Sequence, residues 1–252
     1  MSYKHLFFAF FLLAITACKT KNHLNKIEGK QIPISDTIAI DQNIEAFIQP
    51  YREHVENDLD SVLAYAVDTY SKTDGDYNSP IGNMMADAVY KQTNPVFQKR
   101  TGHDIDFVLL NQGGIRSIIS KGDVTSRTAY EVMPFENAIS VVELEGAQVK
   151  ELIDYMVTEQ KSHPISQLKI VLSADGSLNA ASSKGKPLDY HKNYYVATND
   201  YLLSGGDRMY FFKTNVGVYD LGYKVRNVLL DYFKAVDTLS PTIDDRFVKI
   251  KE

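Results

Sequence analysis

Apolar residues recur along the chain at two spacings, and the alternation between them predicts a mixture of helices and strands. Ile81, Met84, Met85, Ala88 and Val89 fall on one face of a helix. The Ser79-Pro80 pair before them offers an N-cap hydroxyl and a proline whose φ suits a first helical turn. A weaker helical pattern covers 41–59, and amphipathic patterns mark 147–157 and 225–236. Short apolar or β-branched runs predict strands at 61–67, 105–110, 168–172, 194–198 and 247–250, with a strand and turn at 141–146. The elements follow no regular βαβ rhythm, which predicts an α+β fold with helices packed outside mixed sheet layers. Two of the strands, 105–110 and 194–198, run directly into polar, glycine-bearing segments. Strand ends are where ligand-contacting loops usually sit.

The start of the chain has a different pattern. Lys4 and His5 precede an apolar run over 6–14, and Ile15-Thr16-Ala17-Cys18 then places small residues before the single cysteine. This is the layout of a bacterial lipoprotein signal over 1–18, in which cleavage leaves Cys18 as a lipidated N-terminus. An ordinary signal peptide or a short anchor with an incidental cysteine is the alternative. The run is short for a bilayer core of about 30 Å. Residues 19–40 are polar and aperiodic and read as a tether, and 41–252 is long enough for one domain with its own core. The expected location is therefore export, with a lipid anchor on the periplasmic face or cell surface of a bacterial membrane. With one cysteine, no intramolecular disulfide can form.

Composition adds little for the body of the chain, at 44% hydrophobic and 23% charged residues. A formal net charge of -5, without any long basic run, argues against nucleic acid as a partner. Candidate chemistry lies in two segments, Asn111-Gln112-Gly113-Gly114-Ile115-Arg116 and Asn199-Asp200-Tyr201-Leu202-Leu203-Ser204-Gly205-Gly206-Asp207. Each pairs glycines, which let backbone approach a ligand, with one following charge. A guanidinium suits phosphate, and a carboxylate suits sugar hydroxyls. Between them, Pro134 fixes the backbone before Phe135. Taken singly, each segment reads equally as a surface turn, and Phe135 and Tyr201 as core aromatics. The histidines are scattered, and no run supplies the closely placed Asp, His and Asn ligands of a paired-metal site. His103-Asp104 reads as a solvated loop. No Ser-His-Asp motif is present, so no catalytic residue is nominated.

Taken in order, the segments resemble the C-terminal, substrate-binding domain of the 5'-nucleotidase family over roughly 41–250. Ile81-Gly82-Asn83-Met84-Met85-Ala86-Asp87-Ala88 resembles the family's Gly-Asn-Leu-Ile-x-Asp-Ala helix, and 111–116 its Asn-Gly-Gly-Gly-Ile-Arg turn. Gly122-Asp123-Val124-Thr125, Met133-Pro134-Phe135-Glu136-Asn137 and 194–207 are similar to further blocks. The resemblance implies a base held between Phe135 and Tyr201, Asp207 on the ribose, Arg116 toward phosphate and Asn111 near the base. Gly113, Gly114 and Gly206 would shape the turns around that ligand. Gln112, Arg208-Met209 and Tyr77-Asn78 depart from the family pattern and could alter phosphate binding or pocket width. Full-length members also carry an N-terminal metallophosphoesterase domain. The resemblance therefore implies the nucleotide-binding half of a split, membrane-anchored 5'-nucleotidase, with no cofactor of its own and with divalent metals in a partner metallophosphatase chain. A non-catalytic nucleoside- or nucleotide-binding lipoprotein and a degenerate protein-interaction domain are the alternatives.

Overall fold

The computed structural model describes residue 3 and residues 24–251. The expected lipidation site, Cys18, and the signal sequence around it lie outside the described residues apart from Tyr3. The chain divides into two units, 1–48 and 49–252. In the first, residues 24–40 form neither helix nor strand. Helix α1 (Gln42–Leu59) starts where the Asp41 carboxylate accepts the Asn43 and Ile44 amides at 2.9 and 3.3 Å, an N-cap by a side-chain oxygen. None of its residues is buried, in keeping with the weak periodicity over 41–59.

The second unit contains three mixed sheets. The largest has the order β10 (Gly217–Lys224), β4 (Ala138–Leu144), β9 (Tyr194–Asn199), β2 (Phe107–Leu109) and β5 (Ile165–Ser166). Strand β9 pairs in parallel with β2 and antiparallel with β4, so Ala197 lies beside both Val108 and Val141. Both faces of this sheet are buried along β4, β9 and β2, and successive residues there alternate between two cores. Val108, Val141 and Ala197 join the first, while Phe107, Leu109, Val142 and Val196 join the second. A strand buried on both faces shows an apolar run without polar alternation, which is why 105–110 and 194–198 are conspicuous in the sequence.

Helix α2 (Pro80–Thr101) and helix α6 (Val225–Ala235) contribute to the first core. Ser79 caps α2 by accepting the Gly82 amide at 3.3 Å, and Gly102 ends the helix in a left-handed conformation at φ 79°. The predicted face, Ile81, Met84, Met85, Ala88 and Val89, is entirely buried. Each fully buried Ile, Met or Val side chain contributes about 1.5–3 kcal/mol relative to exposure. Beneath the other face, Val149, Leu152, Ile153 and Met156 of α4 (Gly146–Glu159) pack with Leu168, Ile170 and Leu172 of β6 (Leu168–Leu172). Strand β6 lies between β12 (Phe247–Lys249) and β7 (Leu178–Ser183), with β8 (Lys186–Pro187) at the edge. The remaining sheet sets β1 (Val62–Ala66) between β11 (Thr238–Leu239) and β3 (Gly122–Thr125), the last leading into α3 (Ser126–Val132).

Polar groups fasten the C-terminal segment to α2. Buried Asn78 donates to the Asp244 and Phe247 carbonyls, both at 3.0 Å, and accepts from Asn83 at 2.7 Å. Arg246 bridges Asp87 and Asp244 and donates to the Ile165 carbonyl at 2.6 Å. Thus Asn78, one of the departures from the family pattern, has a structural task here.

Helix α4 starts against a neighbouring backbone, because a Cβ on Gly146 would lie 2.0 Å from the Tyr190 carbonyl oxygen. Alanine normally favours a helix over glycine by about 1 kcal/mol. Overlap with a backbone atom that no rotamer relieves outweighs that gain, so Gly146→Ala should destabilise the domain by about 2–4 kcal/mol, read as a lowered urea midpoint.

Candidate functional site

Strand direction assembles the site. Because β2 and β9 are parallel, their C-terminal ends emerge at one edge, carrying the segments that begin at Asn111 and Asn199. Because β4 runs antiparallel to β9, with Ile139 opposite Asn199, its beginning lies at that same edge and brings the Phe135 loop alongside. The two asparagines are buried and joined, Asn199 Nδ2 donating to Asn111 Oδ1 at 3.1 Å. Asn199 Oδ1 also caps the short α5 (Asp200–Leu203) by accepting the Leu202 amide at 2.9 Å. The Asp200 carboxylate accepts from Asn137 Nδ2 at 2.7 Å and the Ala138 amide at 3.2 Å, tying the Phe135 loop to the Tyr201 segment. On its outer side, the Phe135 loop is held by Arg226, which pairs with Glu136, and by Lys224, which donates to the Glu136 carbonyl at 2.8 Å. These cations, Arg226 foremost, hold the Glu136 carboxyl below its usual pKa range.

A cavity of about 330 Å³ opens at this edge, lined by Asn111, Gly113, Gly114, Arg116, Phe135, Asn137, Tyr201 and Asp207. Seven of the eight residues named from the sequence for the substrate site therefore meet in one place. The eighth, Gly206, stands behind the wall: a Cβ there would lie 2.5 Å from the Tyr201 ring. Asn137 is the lining residue that sequence reasoning did not single out, although it sits in the block carrying Phe135. Phe135 and Tyr201 are each 42% exposed, so neither is the core aromatic that the isolated motifs allowed. The Arg116 guanidinium lies 5.9 Å from the Phe135 ring centroid, a cation–π distance, and donates to the Gly113 carbonyl at 3.4 Å.

Asp207 is closely held. Its Oδ1 accepts from the Tyr201 hydroxyl at 2.8 Å, its amide donates back to that hydroxyl at 3.2 Å, and its carbonyl accepts from Tyr155 at 3.0 Å. The hydrogen bond to Asp207 raises the Tyr201 phenol pKa, keeping it a donor. Asp207 and Arg208 both occupy left-handed backbone conformations, at φ 50° and 63°. Non-glycine residues there cost about 1–3 kcal/mol each and persist when surrounding contacts over-determine them. Tyrosine at 201 thus supplies both a ring face and the anchor for the neighbouring carboxylate.

The family departures point away from this cavity. Gln112 donates to Ser162 Oγ at 2.6 Å, and its amide donates to His163 Nδ1 at 3.2 Å. Arg208 pairs with Glu159 at 2.8 Å. His163 is buried, and that burial pushes its imidazole pKa down to about 4, with Lys161 lowering it further and Asp207, Glu159 and the Leu110 carbonyl opposing. Among the described residues, no three His, Cys, Asp or Glu side chains come together to hold a metal ion. The Asp189 carboxylate accepts the His191 amide at 3.0 Å within a turn, and the His103 ring packs 4.8 Å from that of Tyr195. No described helix is long and apolar enough to cross a membrane.

An α+β domain whose strand ends gather aromatic rings, a guanidinium and a carboxylate around a small cavity has the features of a small-molecule-binding domain. The chain belongs to the 5'-nucleotidase C-terminal domain family, whose model matches residues 59–214. It is 32% identical over 158 residues to the cell wall protein Lmo0130 of Listeria monocytogenes, covering 57% of this chain and 20% of that protein. Identity to Protein UshA of Escherichia coli is 31% over 150 residues, with 57% and 26% covered. Identity to a 5'-nucleotidase of Vibrio cholerae is 25% over 217 residues, with 82% and 37% covered. The chain thus spans between a fifth and two fifths of these relatives. Among solved structures, a 5'-nucleotidase precursor from Thermus thermophilus superimposes with a TM-score of 0.66 at 24% identity, covering 83% of this chain and 42% of that one. The NAD nucleotidase of Haemophilus influenzae gives 0.63 at 18% identity, covering 84% and 42%. These superpositions show the same fold.

The buried imidazole makes stability depend on pH with a definite sign. Above its ordinary pKa of 6.5, His163 is neutral whether the chain is folded or unfolded. Below 6.5 the unfolded chain takes up a proton that the folded state refuses until about pH 4. Acidification across that window should cost about 3 kcal/mol of stability, and His163→Gln should lose this component of the slope. Urea midpoints at neutral and mildly acid pH, compared between the two proteins, check it.

Proposed function

We propose that this domain is the nucleotide-binding half of a split 5'-nucleotidase, which grips a nucleotide while a metallophosphatase on a separate chain cleaves the phosphate ester. The convergence of Arg116, Phe135, Tyr201 and Asp207 on one cavity carries this reading. A base fits against the exposed faces of Phe135 and Tyr201, where stacking contributes about 1–3 kcal/mol per base. The Asp207 carboxylate, oriented by Tyr201, accepts from ribose hydroxyls, and Arg116 offers charge-assisted donors to phosphate. The family's metal chemistry, which activates water and polarises phosphate, would be supplied by the partner, since the described residues provide no cluster of metal ligands. This chain's share of the work is orientation: fixing the base and ribose sets where the phosphate projects. The sequence around Cys18 supports export and a lipid anchor, which would confine both chains to one membrane surface.

The same cavity would also serve a lipoprotein that captures nucleosides or nucleotides without hydrolysis, because every group lining it can act by binding alone. One set of measurements separates the readings. Calorimetry should detect nucleoside or nucleotide binding, and Phe135→Ala should weaken it by roughly 5- to 150-fold, the equivalent of one lost stacking contact. Asp207→Ala should weaken it as well. Affinities unchanged in both variants would remove the cavity from the account. The purified chain should lack metal-dependent phosphatase activity and gain it on mixing with its metallophosphatase partner. Robust turnover by the chain alone would sink the split, and binding that no such partner converts to turnover would leave the binding lipoprotein.

A further inference from the structure

Past Asp207 lies a second cavity, of about 280 Å³, which shares Gly113 and Asp207 with the first. Its lining includes Lys161, His163 and Arg208. His163 is only 3% exposed, and its Nδ1 is occupied as the acceptor of the Gln112 amide. A neutral imidazole whose Nδ1 accepts carries its proton on Nε2. That Nε2 is buried and makes no hydrogen bond of good geometry among the described residues, although the Leu110 carbonyl lies near the ring. Buried donors are rarely left unpaired, and one beside a cavity is suited to an acceptor that arrives with a ligand. Nearby, Lys161 and Arg208 both pair with Glu159, at 2.9 and 2.8 Å. Two cations share one carboxylate, and the surplus this leaves is balanced by the Asp207 carboxylate on the same wall, so the cavity presents cationic donors without a net charge. Arg208, one of the departures from the family pattern, contributes to them.

We propose that the second cavity is a subsite for a phosphate carried on the 2'- or 3'-oxygen of a nucleotide whose base and ribose occupy the first. The inference rests on the nucleotide reading of the first cavity. Asp207 is the shared wall, so a substituent on the hydroxyl edge that it faces leads from one cavity into the other. His163 donates its Nε2 proton to a phosphate oxygen, and it does so as a neutral ring, adding no buried charge. Lys161 and Arg208 add charge-assisted donors from their exposed positions. The Asp207 carboxylate repels the incoming phosphate, and these two cations offset it. Lys161 is therefore the residue on which the subsite depends most visibly.

Isothermal titration of the full chain with adenosine, guanosine, cytidine and uridine, and with the 2'- and 3'-monophosphate of each, tests the subsite. For whichever nucleoside binds best, one of the two phosphates should tighten binding by about tenfold, and the 2' and 3' arms show which oxygen carries it. In Lys161→Ala that gain should fall to within about twofold, and His163→Gln should reduce it as well. Lys161 has a half-exposed side chain, so its variant remains informative even where the buried His163→Gln fails to fold. Equal affinity for nucleoside and both phosphates overturns the subsite while leaving the first cavity's role intact. A gain that survives Lys161→Ala, or one that disappears in Arg116→Ala, places the phosphate elsewhere and also overturns it. Failure of every nucleoside to bind overturns the reading of the first cavity, and the subsite with it.

Discussion

The parallel pairing of β2 with β9 is the constraint on which the site depends. Two segments far apart in sequence become neighbours because both strands end at one sheet edge, and the Asn111–Asn199 hydrogen bond joins them there. The antiparallel fit of β4 against β9 then leaves the Phe135 loop no other place to emerge. Ligand sites outside the carboxyl ends of strands follow the same logic in open α/β sheets. What differs here is that a loop entering an antiparallel neighbour supplies one of the aromatic rings.

That arrangement needs a sheet that cannot slip. A one-residue shift of β9 would exchange Val196 and Ala197 between the two cores, placing the larger side chain where the smaller one packs. Burial on both faces therefore specifies register more strongly than hydrogen bonding alone would. The closing segment contributes from a distance: Asn78 and Arg246 fix the start of α2 against β12 and β5, and β5 borders β2. The strand leading to Asn111 is thus held from both sides.

Much of this is legible in the sequence wherever one physical signal dominates. Helix α2 has a cap, a proline at its first position and a wholly apolar face, and it forms where expected. Strand β6 matches its predicted span, 168–172, because its apolar run is short and bounded. Strand β10 escapes the sequence pattern, since a bulge between Asp220 and Tyr223, with Gly222 at φ 63°, breaks its alternation. Strands β5 and β11 have two residues each and leave no pattern to read. At the site, the ordered family blocks single out Phe135, Tyr201, Arg116 and Asp207, but only the sheet shows why they meet. Asn137 lacks any signal beyond its place in the Phe135 block. His163 lacks one altogether, because its interest comes from burial and from a Gln112 amide that reaches it from another loop.

The turn at Asp207 and Arg208 shows how local strain can separate two environments. Consecutive left-handed residues sharply redirect the backbone, so Asp207 lines both cavities while Arg208 lines only the second. With glycine at 208 that conformation would carry no steric cost. Arginine raises the cost, and the compensation lies close by. Tyr201 and Tyr155 hold Asp207 by its side chain and its backbone, and Glu159 holds the Arg208 guanidinium. The two side-chain contacts also aim a group at a cavity: the carboxylate at the first, the guanidinium toward the second. A strained turn fastened in this way is consistent with a charge at 208 that is used, because an arginine serving solubility alone could occupy an unstrained surface position.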